Sequence, residues 1–332
     1  MGAVDARLDL EERERLRHEQ PGSDLELRRA RLPEGHPSAD GYVDSRRDRE
    51  PERVRPLTDA EYADHVTDIK TRLDEARREG RATFIQHTKD RGHEVWSEER
   101  ELQHNTILDD MCAKAREVPC EWRAIVAGGL AGSGKTSVLR EYAGVDLGRF
   151  LVINPDSIKE ELASRGLVPK VEGLSPLEAA DLVHEESSHI AKRLAQRAAA
   201  EGKNVAWDIT MSSGASTEKR LQSLQDAGYS HIEGIFVDVS IDVSMQRVES
   251  RHREGLERFR NGDGLGGRFV ADQLILAQAD PDWGSRNRRS FEMLKSEFTA
   301  WSIFENSVDG RKPSIAETGR SDLAEPRGNM TN

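Results

Sequence analysis

Apolar and polar positions follow three different patterns along this chain. From Met1 to about Pro56 charged residues of both signs alternate without an apolar period, and Pro21, Pro33, Pro37, Pro51 and Pro56 interrupt any long helix. That stretch, 1–56, reads as a disordered or loosely helical leader. Leu8 to Glu19 could form a charged helix, but it holds too few apolar residues to dock. The pattern changes at Thr58, which is followed three residues later by Glu61, the spacing of a capping box. Tyr62, Val66, Ile69 and Leu73 then recur every three or four residues, predicting a helix that runs towards Glu79 and stops at Gly80. A second helix is predicted from Ser97 to Arg116, with Leu102, Ile107, Leu108 and Met111 on its apolar face. These helices define a helical subdomain over 57–121.

From Trp122 onward, short apolar runs alternate with amphipathic stretches. Strands are predicted near Arg123–Leu130, Phe150–Asn154, Asn204–Ile209 and Ile232–Val239, with a fifth near Trp301–Phe304. Helices are predicted over Lys135–Ala143, Ser157–Arg165, Pro176–Glu201, Ser216–Ala227 and Ile241–Glu254, with two more after Phe269. Strands alternating with helices make an α/β fold, a parallel sheet flanked by helices. This domain is read as 122–310, followed by a polar tail over 311–332.

Composition narrows the function classes. The chain has 332 residues, 33% of them charged, and a net charge of −12; its mean hydropathy is −0.72. An acidic molecule of this kind argues against a general nucleic-acid binder, although a local basic cleft remains compatible. No apolar stretch approaches a membrane span and Met1 to Arg31 is too charged for a signal peptide, so the expected compartment is cytoplasmic. Cys112 and Cys120 are the only cysteines, which indicates neither a disulfide framework nor a zinc site. His87, His93 and His104 follow no metal-ligand spacing and are assigned to surface or core roles.

The sharpest chemical signal is Gly129-Leu130-Ala131-Gly132-Ser133-Gly134-Lys135-Thr136, a G-x-x-x-x-G-K-[ST] phosphate-binding loop directly after the apolar run Ala124–Ala127. Glycines let backbone N–H groups turn towards phosphate oxygens, and the next helix presents its positive end to the same anion. Gly129 and the run Ala131, Gly132, Ser133, Gly134, Lys135, Thr136 and Ser137 form the expected ATP site. Lys135 would neutralise the β- and γ-phosphates and Thr136 would offer its hydroxyl to Mg²⁺. The fold class sharpens accordingly to a P-loop NTPase-type parallel sheet.

Ligands in such sheets gather beyond the carboxyl ends of the strands. Asp156, after the second strand, is placed to accept a proton from a substrate hydroxyl; it is equally placed, with Ser157, to cap the next helix. Asp208, ending the third strand, fits a carboxylate acting on Mg²⁺, with Asp238 as its rival and Thr210 on the substrate side. Arg247, Arg251, Arg253, Arg258, Arg260 and Arg268 crowd a segment containing the glycine-rich run Asn261–Gly267. They read as a lid supplying positive charge to the transferring phosphoryl group, or as a solvated basic helix before a loose loop.

Together these segments resemble the zeta toxin family of P-loop kinases from about Trp122 to Asn306. The resemblance rests on Gly128–Thr136, on Asn154-Pro155-Asp156-Ser157, on His184–Leu194, on Gly202–Thr210 and on Gly267-Arg268-Phe269-Val270. It implies ATP- and Mg²⁺-dependent phosphorylation of a nucleotide-sugar hydroxyl, typically in UDP-N-acetylglucosamine. By position it implies Asp156 as general base, Lys135 as phosphate clamp and Arg251 and Arg268 as lid arginines. Thr210 matches the threonine after the third strand, and Glu185 or Glu186 matches a substrate-holding glutamate. The residues preceding Asp156 and Thr210 depart from the common family pattern. The family further implies an antitoxin partner, and the helices of 57–121 are expected to shield the nucleotide site in cis in its place. The same core would serve a kinase of another nucleoside, a dinucleotide or an antibiotic, a nucleotide-gated interaction module, or, against the acidic balance, a nucleic-acid kinase.

Overall fold

The computed structural model describes residues 54–89 and 95–321. The leader up to 53, His93 and the tail beyond 321 lie outside the described residues. What is described belongs to one compact unit, Arg53–Asn332.

A capping box opens the first helix, α1 (Asp59–Arg78): the Thr58 side chain accepts from Glu61 N while the Glu61 carboxylate accepts from Thr58 N. Its apolar stripe, Tyr62, Ile69, Leu73 and Ala76, is buried, and full burial of a residue such as Ile69 or Leu73 stabilises by about 1.5–3 kcal/mol. A short helix, α2 (Thr83–His87), and a longer one, α3 (Glu98–Lys114), complete the leading helices. Ile107 and Leu108 of α3 join the same apolar cluster as α1 and the sheet. The stretch 57–121 is therefore packed onto the P-loop core within one unit.

The central sheet comprises β1 (Arg123–Gly128), β2 (Leu151–Ile153), β3 (Val205–Asp208), β4 (His231–Asp238), β7 (Ala300–Glu305) and β8 (Ser314–Arg320). Its order is β2-β3-β1-β4-β7-β8, and its first five strands are parallel. Its sixth strand, β8, pairs antiparallel with β7 within the stretch expected to be a polar tail. Burial of β8 is almost nil, so this edge strand lacks the apolar alternation that would reveal it in sequence. A two-stranded ribbon, β5 (Ala279–Asp280) with β6 (Gly284–Ser285), stands apart from the sheet.

Between the strands run α4 (Lys135–Glu141), α5 (Pro155–Ser164), α6 (His184–Ala200), α7 (Gly214–Asp226), α8 (Ile241–Arg260), α9 (Asp272–Leu276) and α10 (Arg286–Leu294). One predicted helix, Pro176–Glu201, divides into a 3₁₀ turn over Ala179–Val183 and α6. The Glu178 carboxylate accepts from the Ser175 backbone N–H and hydroxyl at 2.8 Å each, which fixes a separate turn before α6 can begin. Apolar clusters fill both faces of the sheet, the larger beneath α1, α3, α5 and α6 and the smaller against α4. Among the described residues no helix is long and apolar enough to cross a membrane.

Candidate active site

At the carboxyl end of β1 the chain turns through Gly129–Gly134 into α4. Gly129 and Gly134 hold φ values of +141° and +84°, a region closed to most side chains. A Cβ on Gly129 would lie 2.4 Å from the Val237 carbonyl oxygen, and one on Gly134 would lie 2.7 Å from Asn306 Nδ2. Asn306, at the end of β7, donates to the Ser133 carbonyl at 2.8 Å, and Ser244 of α8 donates to the Ala131 carbonyl at 2.7 Å. The loop is thus braced from outside, while Ser133 Oγ inside it is buried without a partner among the described residues.

Lys135 Nζ donates to the carbonyls of Gly129 and Leu130, both at 3.1 Å, and lies 3.8 Å from Asp208 Oδ1. Burial lowers its pKa, against the pull of Asp208 and Asp156. Asp208 Oδ2 accepts from Asn154 Nδ2 at 3.0 Å and from Thr136 Oγ1 at 3.5 Å. Burial raises the Asp208 pKa, opposed by Lys135. A hydroxyl and a buried carboxylate beside a phosphate loop are a hard-oxygen set that fits Mg²⁺. Asp238 is drawn away from this set: it accepts from Arg288 at 2.7 Å.

Asn154 caps α5 by accepting from the Asp156 N–H at 2.8 Å, with Pro155 in the first helical turn. The cap is therefore Asn154, and the Asp156 carboxylate is left for other partners. It lies 3.1 Å from Arg268 and 3.4 Å from Lys159. Burial would raise its pKa, but Arg268 and Lys159 outweigh burial and hold it below the usual carboxylate value.

These groups line one cavity of about 580 Å³ together with Ser137, Thr210, Arg247 and Arg251. Arg220, stacked 4.3 Å from the Trp207 ring centroid, closes one side. Of the six clustered arginines only Arg247, Arg251 and Arg268 reach the cavity. Arg253 and Arg260 face elsewhere, Arg253 over the Tyr62 ring at 3.7 Å and Arg260 onto the Arg55 carbonyl at 3.1 Å. Helical spacing sorts them, because 247 and 251 are four apart on one face of α8. The glycine run is packed only at its end: Asn261 to Gly264 are exposed, whereas Gly266 and Gly267 are buried and a Cβ on Gly267 would lie 2.1 Å from the His252 carbonyl oxygen.

Neither candidate glutamate of α6 lines the cavity. Glu186 is fully buried, accepting from Arg100 Nε at 2.6 Å, Arg100 Nη2 at 2.8 Å and His104 Nε2 at 2.6 Å. Glu185 is exposed. From α6 the cavity receives His184 and Ser188 instead. Sequence reading also missed Lys159, Arg220 and the bracing Asn306; only Lys159, three residues from Asp156 on α5, left a local signal. No described residue of 54–121 lines the cavity. The apolar face of α1 is already committed to the core, and its Arg72 and Arg77 bind the Glu172 carbonyl and Asp181.

A parallel sheet with a glycine cradle, a buried lysine and carboxylates at neighbouring strand ends defines a P-loop, kinase-like fold. The chain belongs to the zeta toxin family, whose profile matches residues 105–281. Among solved structures it is similar to the AvrRxo1-ORF1:AvrRxo1-ORF2 complex with sulphate ions, at 17% identity and a TM-score of 0.51 over 72% of this chain and 76% of that one. The same complex with ATP gives 17% identity and a TM-score of 0.51 over 71% and 76%. The PezAT toxin-antitoxin system of Streptococcus pneumoniae gives 16% identity and a TM-score of 0.45 over 67% and 84%. No curated protein sequence matches the chain.

Proposed function

We propose that this protein is an ATP- and Mg²⁺-dependent kinase that transfers the γ-phosphoryl group to a hydroxyl of a nucleotide sugar such as UDP-N-acetylglucosamine. The observation that carries this reading is that the phosphate loop and Asp156 open onto one cavity. Backbone N–H groups of Gly132–Gly134 and the Lys135 ammonium bind the β- and γ-phosphates. Thr136 and Asp208 hold Mg²⁺, which when bound neutralises charge on the phosphate oxygens. The Asp156 carboxylate accepts the proton of the acceptor hydroxyl as its oxygen bonds to the γ-phosphorus and the bond to the β-phosphate oxygen breaks, releasing ADP. Arg251 and Arg268 stabilise charge on the transferring group. Thr210, at the rim beyond β3, contacts the acceptor. Family membership supports a cytoplasmic toxin role with an antitoxin partner.

Incubating the purified protein with ATP, Mg²⁺ and a panel of nucleotide sugars, nucleosides and dinucleotides tests the reading by mass. A nucleotide sugar gaining one phosphate supports it. Consumption of ATP with every acceptor unchanged replaces it with a nucleotide-gated module.

A further inference from the structure

A second cluster, outside the phosphate cavity, lies where α3 crosses α6. His104 is completely buried, and its Nε2 faces Glu186 Oε1 at 2.6 Å. The same carboxylate accepts from Arg100 Nε at 2.6 Å and Arg100 Nη2 at 2.8 Å, so it faces the imidazole as an acceptor. His104 therefore donates through Nε2. Its Nδ1 is buried with no hydrogen-bond partner among the described residues, an arrangement that costs roughly 1–3 kcal/mol unless something satisfies it.

Two potential ligands stand beside this ring. Glu101 and His189 each bring a ligand atom into a set with His104 whose members all lie within 4.8 Å of one another. Glu101 Oε1 is 3.9 Å from His189 Nε2, close to the separation of about 3.4 Å that two ligands of a tetrahedral zinc ion adopt. Outer partners already orient the set: Glu186 holds His104, and Arg193 donates to Glu101 Oε2 at 2.6 Å. Trp96 packs its ring against both imidazoles, with centroids 4.9 Å from His104 and 5.5 Å from His189. A histidine with one nitrogen donating to a carboxylate and the other without a protein hydrogen-bond partner is the usual state of a metal ligand. Imidazole nitrogens with one carboxylate suit Zn²⁺ and disfavour Mg²⁺ or Ca²⁺.

We propose that Glu101, His104 and His189 form a Zn²⁺ site that ties α3 to α6. Glu101 and His104 lie one turn apart on α3 and His189 on α6, 85 residues further on, so the histidines alone show no metal-ligand spacing in the sequence. The site braces the helix that delivers His184 and Ser188 to the phosphate cavity. The other histidine pair, His65 and His252 around Glu178, needs no metal: His252 has its ring nitrogens engaged by Tyr62 at 2.8 Å and Glu178 at 3.1 Å.

The test uses the full chain, stripped with a chelator and titrated with Zn²⁺, with bound metal measured by elemental analysis and Co²⁺ substituted as a visible-absorption probe. One Zn²⁺ per chain and ligand-field bands of low-coordinate Co²⁺ are expected. His189→Ala and Glu101→Gln should each weaken Zn²⁺ binding by at least about tenfold, the scale seen for lost metal-site contacts, while His65→Ala leaves it unchanged. Circular dichroism checks that the variants fold; His104→Ala is avoided because it strips Glu186 of a partner, and the near-isosteric Glu101→Gln carries the test if His189→Ala unfolds. No uptake by the natural chain, unchanged uptake in the folded variants, or loss of zinc in His65→Ala overturns the proposal.

Discussion

Two opposing effects set the state of Asp156. Its surroundings remove part of its water, and Arg268 at 3.1 Å and Lys159 at 3.4 Å keep it ionised. An ionised carboxylate can receive a proton, and it costs nothing to prepare at neutral pH. Asp156→Asn removes the acceptor and leaves the phosphate loop intact, so transfer should fall by about 10²-fold or more while ATP binding stays close to normal. Steady-state kinetics beside an ATP titration check this, and near-normal transfer would sink the base assignment. Glu186 shows how a residue-scale reading can point the wrong way. A helix places neighbouring residues about 100° apart, so the motif alone could not say whether Glu185 or Glu186 faced inward. The structure turns Glu186 onto Arg100 and His104. Glu186→Ala should therefore destabilise the fold by about 3–5 kcal/mol by stranding a buried guanidinium, measured by urea unfolding. Glu185→Ala should leave stability within about 0.5 kcal/mol. The phosphate loop was legible because its chemistry is local, eight consecutive residues after a strand. The link between Asn154 and Asp208 was not, because its partners are 54 residues apart.

Elements joined by buried charge respond to pH. Glu178 binds α1 to α8 by accepting from His65 at 2.7 Å and His252 at 3.1 Å, with the hydroxyl of Tyr62, its own pKa pushed up to about 12 by burial, on the other side of His252. Burial raises the Glu178 carboxyl, but hydrogen bonds from His252, His65 and Ser175 bring it to about 2. A depressed folded value means the stabilisation is fully present above the unfolded value, about 4.3, and is lost as pH falls through about 2. Unfolding free energy should thus drop by on the order of 3 kcal/mol across that window, and Glu178→Gln should flatten the drop in acid titrations of urea stability. The leading helices also set the outcome of truncation. Because Ile69, Leu73, Ile107 and Leu108 are buried in the main cluster, a chain starting near Val118 should lose cooperative unfolding instead of gaining activity; a folded, more active fragment would support shielding in cis. Most helices were readable from their apolar period and the five parallel strands from their short apolar runs. The exposed strand β8 was not, because it has no apolar alternation and is held by backbone pairing with β7 and by Glu317 accepting from Arg288 and Lys295, at 2.9 Å each.

The whole molecule is acidic, with a net charge of −12, while the cavity collects Lys135, Lys159, Arg220, Arg247, Arg251 and Arg268 against Asp156 and Asp208. A cationic cleft in an anionic body focuses field lines and draws small anions inward against the overall negative charge. Exposed charges are screened over a Debye length that shrinks from about 10 Å at 0.1 M salt to about 3 Å at 1 M, whereas the buried contacts of Lys135 with Gly129, Leu130 and Asp208 are screened much less. Capture of a charged acceptor should therefore weaken with salt while the chemical step does not. Raising NaCl from about 0.05 M to about 0.5 M should raise KM for an anionic nucleotide acceptor several-fold, lower kcat/KM in proportion and leave kcat nearly constant. A neutral nucleoside acceptor in the same assay should show little change in KM. Equal salt sensitivity for charged and neutral acceptors would mean that the arginines of α8 and Arg268 act only within the closed reaction centre and contribute nothing to capture.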